Sequence, residues 1–225
     1  IDANLSECES LLNTNRIFIE RLDGVGVISK EDALSYGFTG PNLRASGVEF
    51  DLRRATPYLQ YDKVDFRIPT FTEGDSLARY FVRADEVRES AKIVRQCLQL
   101  MPQGEIKANL PKSVLPQKAE VYSKMEELIH DFMIVNFGIN PPVGEVYHAI
   151  EGSKGELGFY IVSKGEGHPW KCKIRSPSFI HIQSLPHLVK GHMVSDVVAI
   201  IGSICLLYTS PSPRDRTRSR MPSSA

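Results

Sequence analysis

Three arginines and one aspartate lie within eleven residues of this chain, inside the stretch GFTGPNLRASGVEFDLRR at positions 37–54. They are Arg44, Asp51, Arg53 and Arg54. The stretch has too many glycines for a helix interior and too many charges for a plain core strand. Glycines at this density mark backbone that turns sharply or that another segment approaches closely. The pattern therefore predicts a loop-rich motif.

Two further groups of side chains could carry protons. The carboxylates Glu145, Glu151 and Glu156 lie close together on predicted strands, where Glu145 and Glu151 can share a sheet face. Paired carboxylates can relay protons, although surface charges on strands and loops give the same pattern. His192 and Asp196 stand four residues apart in a predicted helix. They form either a hydrogen-bonded pair that titrates near neutrality or an ordinary intrahelical pair.

Other kinds of chemistry have no matching pattern. The sequence contains no phosphate-binding loop, no G-x-G-x-x-G motif and no Ser-His-Asp or Cys-His nucleophile motif. His187 and His192 are five residues apart, a spacing that does not place both on one helix face for a metal. The cysteines include no C-x-x-C pair and are typical of reduced thiols. We therefore expect this chain to bind no metal ion and no nucleotide.

Charge is balanced over the whole chain but unevenly distributed. Lys and Arg total 27, as do Asp and Glu, but four of the arginines stand in the last twenty residues. The preceding residues carry 23 basic and 26 acidic side chains. A mildly acidic body without a basic stripe argues against nucleic acid as a partner. No apolar run reaches the roughly 18–20 residues that span a bilayer, so we expect membrane association only through partners.

Hydrophobic periodicity predicts a mixed α+β chain. Apolar residues recur at steps of three and four from Leu77 to Met101, which predicts a helix over 75–101 capped by Asp75. Its opposite face, which includes Arg79 and Glu86, is expected to face solvent or partner subunits.

Two more helices and three strands follow in the predicted order. A second helix is expected over 118–137 and a final one from about Leu188. Between them the period changes to two, which predicts strands at 144–151, 156–162 and 170–175. Short turns join these strands, so we expect an antiparallel β-meander.

Several stretches resemble, in order, the hydrogenase-like large subunit of respiratory complex I, the D-subunit family of NADH:quinone oxidoreductase. The resemblance covers residues 5–204 and corresponds to the C-terminal portion of that family. Its specific stretches are residues 23–29, 37–47, 57–58, 144–151, 154–158, 175–179 and 191–203.

The resemblance implies a fold, a set of partners and a location. The fold is that of nickel-iron hydrogenase large subunits, mainly helical with a small antiparallel β-meander. The family helps form the quinone-reduction site beside the terminal iron-sulfur cluster of the small subunit, which couples electron transfer to proton translocation. Iron-sulfur clusters, flavin and NADH are held by partner subunits, and quinone is the substrate. A further neighbour is another peripheral-arm subunit, on the cytoplasmic face of a bacterial inner membrane or the matrix face of the mitochondrial one.

The resemblance also suggests site residues. It places His192, Asp196 and Ser203 nearest the partner cluster or the quinone chamber, with Arg44 and Arg175 as structural or interface arginines. The quinone-binding histidine and tyrosine of the family belong to its upstream half, so no catalytic residue is assigned to this chain.

Residues 1–204 are expected to form the C-terminal part of the large-subunit domain, and residues 205–225 a non-native disordered tail. That tail changes abruptly to Ser, Pro and Arg. We expect the isolated fragment to be inactive. One alternative is a metal-free assembly or interaction module. The other is the large subunit of a related membrane-bound hydrogenase. Such hydrogenases ligate nickel and iron with two C-x-x-C pairs, and the lone Cys205 disfavours that alternative.

Overall fold

The computed structural model describes residues 1–104 and 114–205. The expected loop between the two middle helices lies partly outside these residues, and the expected tail lies outside them except for its first residue. The described chain forms two compact units. The first unit comprises residues 1–94, 151–156 and the residues from Ser176 onward, and the second comprises residues 95–150 and 157–175.

The first unit is helical. Its elements, in chain order, are α1 (Asp2–Leu12), α2 (Arg16–Glu20), α3 (Lys30–Ser35), α4 (Pro41–Arg44), α5 (Leu52–Ala55), a 3₁₀ turn (Tyr61–Lys63), most of α6 (Ser76–Leu100), and, after the second unit's elements, α9 (Pro177–Ile182), α10 (Leu185–Leu188) and α11 (Asp196–Cys205).

Short polar side chains begin these helices. The Ser29 hydroxyl accepts a hydrogen bond from the Asp32 N–H at 3.0 Å, as its capping pattern predicts. A carboxylate oxygen of Asp75 accepts from the Ala78 N–H at 2.7 Å and caps α6. Because α3 and α4 are so short, their stability comes from packing rather than from helix propensity.

The main core of the first unit brings together distant parts of the chain. Its buried residues come from the loop before α3, from α3 and α4, and from α10 and α11: Val25, Ile28, Ala33, Phe38, Leu43, Leu188, Ile200 and Ile204. Burying side chains of this size contributes roughly 1.5–3 kcal/mol each for the larger ones. This core therefore holds the glycine-rich motif against the last helix of the described chain.

The existence of α6 is confirmed, but the face expected to be buried is wrong. Val87, Val94 and Leu98 are 41%, 56% and 63% exposed. The buried residues of α6 are Ser76, Ala78, Arg79, Val82, Ala84, Ala91 and Ile93. Small residues on this face let neighbouring backbone approach closely, and Arg79 is buried because carbonyl and hydroxyl groups surround its guanidinium. Hydrophobic periodicity cannot detect a buried face of that composition.

The second unit contains two helices and the sheet. The helix expected over 118–137 is broken at Lys124, whose backbone is extended, into α7 (Lys118–Ser123) and α8 (Met125–Phe137). The three strands are β1 (Gly144–Gly152), β2 (Gly155–Ser163) and β3 (Lys171–Arg175).

The meander prediction is confirmed. The sheet has the order β1-β2-β3 and is antiparallel. In the β2–β3 pair, Gly158 lies opposite Arg175 and Tyr160 opposite Lys173. The tip of the β1–β2 hairpin, residues 151–156, belongs to the first unit.

The final helix begins later than expected. Helix α10 ends at Leu188, and α11 begins at Asp196 after a turn in which Gly191 has a φ of +85°. An Asp196 carboxylate oxygen accepts from the Met193 N–H at 3.1 Å. His192 therefore precedes the helix, and the expected intrahelical pair with Asp196 does not form.

Candidate functional site

The glycine-rich motif is the centre of a buried cluster of charges. Arg44 is 1% exposed, and its guanidinium donates to carboxylates on three different segments. It donates from Nε to Glu86 Oε1 at 2.8 Å and from Nη1 to Glu151 Oε1 at 3.0 Å. Nη1 also lies 3.5 Å from Asp51 Oδ2 and donates to the Phe50 carbonyl at 2.9 Å. We call Arg44, Asp51, Arg53, Glu86 and Glu151 the arginine–carboxylate cluster.

The cluster joins the motif to the tip of the β1–β2 hairpin. Glu151 Oε2 accepts from the Leu52 N–H at 3.3 Å, while the Glu151 N–H donates to the Tyr58 hydroxyl at 3.1 Å. At the other end of the tip, the Glu156 N–H donates to Thr39 Oγ1 at 3.1 Å. These hydrogen bonds hold both ends of the hairpin tip on the motif. The tip supplies Glu151, without which Arg44 would lack one of its three carboxylates.

Two glycines let the hairpin tip approach the motif closely. Gly40 has a φ of +66° and Gly155 a φ of +124°, conformations that favour glycine. A Cβ built on Gly40 would lie 2.4 Å from Gly155 Cα and 2.6 Å from Gly155 N. The expected close approach of another segment to this motif is therefore present, and the segment is the hairpin tip.

Burial and charge act in opposite directions on the acids of the cluster. For Asp51, burial raises the pKa, but hydrogen bonds and positive charge from Arg53 outweigh it, so that its pKa is lowered. Burial raises the pKa of Glu86, and the charge of Arg44 offsets this only in part. Burial likewise raises the pKa of Glu151, which Arg44 offsets in part. The cluster thus combines one firmly ionised carboxylate with two that accept protons more readily.

The raised pKa of Glu86 predicts a pH-dependent mutant effect. Between the ordinary pKa and the folded-state pKa, folded Glu86 binds more protons than unfolded Glu86, so its contribution to the free energy of unfolding falls as pH rises. Glu86→Gln removes this contribution. We expect the substitution to cost less stability at pH 7 than at pH 5, measured by hydrogen exchange of peptides covering residues 38–54 in the assembled protein. An equal cost at both pH values would contradict the assignment.

A second buried polar group lies between α6 and α11. The Arg79 guanidinium is fully buried and donates to Ser203 Oγ at 2.8 Å and to the Gly74 carbonyl at 2.8 Å. Arg83 donates to Asn42 Oδ1 at 3.0 Å and to the Ser203 carbonyl. Burial lowers the pKa of Arg79 to about 10, and the nearby charge of Arg83 adds to the effect.

These two arginines are placed where the α11 dipole favours positive charge. The Ser203 carbonyl belongs to the last turn of α11, the negative end of its dipole. The Asn42 amide nitrogen donates to the Ile204 carbonyl at 3.0 Å, in the same turn. The motif and α6 together therefore cap the end of α11.

The imidazole of His181 is completely buried beside this group. Its Nδ1 lies 2.8 Å from the Asn42 amide nitrogen, and its Nε2 lies 3.4 Å from the Thr39 backbone nitrogen. The Phe38 ring packs edge-on against it at a centroid distance of 4.8 Å. Because donors face both ring nitrogens, the pocket favours a neutral imidazole over a doubly protonated one.

The five expected site residues occupy different environments. Arg44, Asp196 and Ser203 are buried in the first unit, and each has partners within the chain. Asp196 Oδ1 pairs with Arg21 at 3.1 Å. His192 is half-buried, and its Nε2 accepts from the Gly26 N–H at 3.3 Å. Arg175 ends β3 in the second unit.

Sequence reasoning missed most members of the two buried groups. Arg79 and Glu86 were expected on a solvated or partner-facing surface, whereas Arg79 is buried and the Glu86 side chain is 16% exposed. The expected relay of Glu145 with Glu151 does not form a shared site, since Glu145 accepts from the Tyr160 hydroxyl and Glu151 from Arg44. The available signal was the density of arginines in the motif, which requires carboxylates elsewhere in the chain.

Metal ligation and membrane crossing find no candidate in the described part of the chain. Over residues 1–104 and 114–205, no group of three or more His, Cys, Asp or Glu side chains could hold a metal ion. Within the same ranges, no helix combines the length and the apolarity that crossing a membrane requires.

Comparison with known proteins gives the class to which this fold and these buried groups belong. The family model of the respiratory-chain NADH dehydrogenase 49 Kd subunit matches residues 1–210. The chain belongs to that family.

Individual relatives carry a more specific name, the D-subunit of NADH-quinone oxidoreductase. The chain is 60% identical over 200 residues to the first such protein of Chloroherpeton thalassium, an alignment that covers 89% of this chain and 46% of that protein. It is 55% identical over 197 residues to the corresponding protein of Salinibacter ruber, covering 87% of this chain and 44% of that protein. The chain spans about half the length of the curated relatives it matches.

Proposed function

We propose that this chain is part of the peripheral-arm subunit of NADH:quinone oxidoreductase that helps form the quinone-reduction site. The observation that carries the proposal is the family match over residues 1–210, together with relatives named as the D-subunit of that enzyme. In this proposal the site lies beside the terminal iron-sulfur cluster of a partner subunit, and electron transfer there is coupled to proton translocation. The fold is that of hydrogenase large subunits.

The chain's own contribution is a rigid frame rather than a redox centre. Electrons come from NADH through flavin and iron-sulfur clusters held by partner subunits, including the small iron-sulfur subunit and a neighbouring peripheral-arm subunit. The frame consists of the motif, the hairpin tip, α6 and α11, joined by the arginine–carboxylate cluster and the Arg79–Arg83 group. The complex holds the chain peripherally, on the cytoplasmic face of a bacterial membrane or the matrix face of a mitochondrial one.

The expected site residues divide into two roles within this proposal. Arg44, Asp196 and Ser203 are buried among their own partners, so we assign them to positioning. His192 and Arg175 keep partly accessible side chains, so they are the candidates to face the quinone chamber or the cluster-bearing subunit. His192 could present protons near the site because an imidazole titrates near neutral pH.

A chimeric subunit tests the proposed function. Residues 1–204 of this chain would replace the matching half of the full-length relative from Chloroherpeton thalassium, in a host lacking its own copy of this subunit. We expect membranes to recover NADH-dependent quinone reduction and NADH-driven proton uptake into vesicles. The matched control carries Arg79→Met in the same chimera, which leaves the buried acceptors of Arg79 unpaired and is expected to lower assembled activity.

An artificial electron acceptor that takes electrons upstream of the quinone separates the possible results. Recovery of both activities supports the proposal. A complex that assembles and reduces the artificial acceptor but not quinone would contradict it and favour the assembly module. The isolated chain, which lacks the partner cofactors, is expected to reduce neither acceptor.

A further inference from the structure

The third strand of the sheet presents an unusual row of positive charge. Strand order β1-β2-β3 leaves β3 at an edge of the sheet that the described residues form. Lys171, Lys173 and Arg175 alternate along β3 and therefore point to the same face. Lys171 and Lys173 form no ion pair with any described residue. Three cations thus line one edge of the sheet at regular spacing.

The same face contains a cavity rather than a flat surface. Its volume is about 480 Å³, and it is lined by Tyr147, Tyr160, Lys171, Lys173 and Arg175. The register places Tyr160 directly opposite Lys173. The two tyrosines form the wall of the cavity on the side away from the edge, so the cations border its open side.

A glycine makes room for one of these tyrosines. Gly158 lies opposite Arg175, and a Cβ built on it would lie 2.2 Å from the Tyr147 hydroxyl oxygen. Any larger residue at this position would push the Tyr147 ring out of place. The absence of a side chain at Gly158 therefore shapes the cavity beside the cations, which protection of a bare edge strand by lysines alone does not require.

The opposite face of the sheet has a different character. Phe159, Ile161, Cys172 and Ile174 lie there, with Phe159 opposite Ile174 and Ile161 opposite Cys172. An apolar partner would be expected on that face, and nothing among the described residues identifies it. The cationic face, in contrast, specifies the charge of what binds it.

We propose that β3 and its cationic face bind an extended acidic segment of a neighbouring polypeptide. Alternate residues of an extended chain are about 6.6–6.8 Å apart, which is the repeat of the three cations along β3. A segment with Asp or Glu at alternate positions can place a carboxylate near each cation while its backbone runs along the sheet edge. The inference rests on the proposed function only in requiring that the chain works within a multisubunit complex.

Carbodiimide cross-linking of the assembled chimeric complex tests the inference directly. The reagent joins a lysine amine to a carboxylate only where the two groups are in contact, and mass spectrometry identifies both peptides. We expect cross-links from Lys171 or Lys173 to an acidic stretch of another subunit. The triple variant Lys171→Glu, Lys173→Glu and Arg175→Glu should lose them and weaken subunit association by about tenfold. The matched control, Lys30→Glu, Lys118→Glu and Lys190→Glu, reverses the same number of charges elsewhere on the chain and should retain both.

Acetylation of lysines in the unmodified complex keeps the test decisive where the triple variant fails to assemble. Protection of Lys171 and Lys173, relative to Lys118, supports the inference. Equal acetylation of all three lysines without cross-links would overturn it, as would protection that disappears when lipid is removed, which would indicate a membrane surface. Quinone reduction is measured in the same preparations. Loss of that activity counts against the proposed function, whereas active complex without cross-links counts against this inference alone.

Discussion

Replacing Arg44 with methionine is expected to detach the hairpin tip from the motif. The substitution leaves Asp51, Glu86 and Glu151 buried together without their shared cation. Breaking a buried ion pair by removing one partner costs about 3–5 kcal/mol. Hydrogen exchange in the assembled protein should therefore accelerate about a hundredfold or more in peptides covering residues 38–54 and 148–158. Because burial favours the neutral form of Glu86 and Glu151, their protonation should make the loss smaller at pH 5 than at pH 7.5.

Arg16→Met is the matched control for this prediction. Arg16 also pairs with a carboxylate, that of Glu20, but the two side chains are 89% and 59% exposed. Exposed pairs of this kind contribute about 0.3–0.5 kcal/mol, so exchange should change little. If Arg44→Met and Arg16→Met gave the same small effect, the buried cluster would have no role in holding the hairpin tip.

The second large effect is expected from Gly40→Ala. The added Cβ would lie 2.4 Å from Gly155 Cα, a backbone atom that cannot rotate away. Either the hairpin tip or the start of α4 must move, and the hydrogen bond from the Glu156 N–H to Thr39 would be lost with it. We expect a cost of about 3 kcal/mol or more, with increased exchange in the same two peptides and lower yield of assembled complex.

Gly24→Ala separates the clash from the backbone strain. Gly24 has the same φ of +66° as Gly40, but a Cβ on Gly24 meets no atom within 4 Å. Its cost should therefore be only the roughly 1–2 kcal/mol of a left-handed conformation for alanine. Equal costs for the two substitutions would show that the close approach of the hairpin tip does not determine stability.

The sequence predicted the elements of this fold better than their contacts. Capping residues and periodicity identified the starts of α3 and α6 and the order of the three strands, because these signals are local. The break at Lys124 and the late start of α11 were missed. Neither position carries a proline, and the Gly191 turn before α11 resembles tolerated glycine in a helix.

The candidate site was predictable only in part. The glycine and arginine density of residues 37–54 identified the motif, and its glycines indicated that another segment approaches closely. Which segment approaches depends on a contact between Gly40 and Gly155, which are far apart in the sequence, and no local pattern encodes such a contact. Arg79 was assigned to the wrong face because its burial depends on carbonyl groups of Gly26 and Gly74, which sequence patterns do not reveal.

Photoaffinity labelling tests the central claim most directly. The chimeric complex would be irradiated with an azido-quinone, with and without excess unlabelled quinone, and the labelled peptides identified by mass spectrometry. The account predicts label within residues 1–204 of this chain that excess quinone removes, including the peptide that contains His192. Competed label found only on other subunits, in a complex that reduces quinone, would contradict the claim that this chain helps form the quinone site.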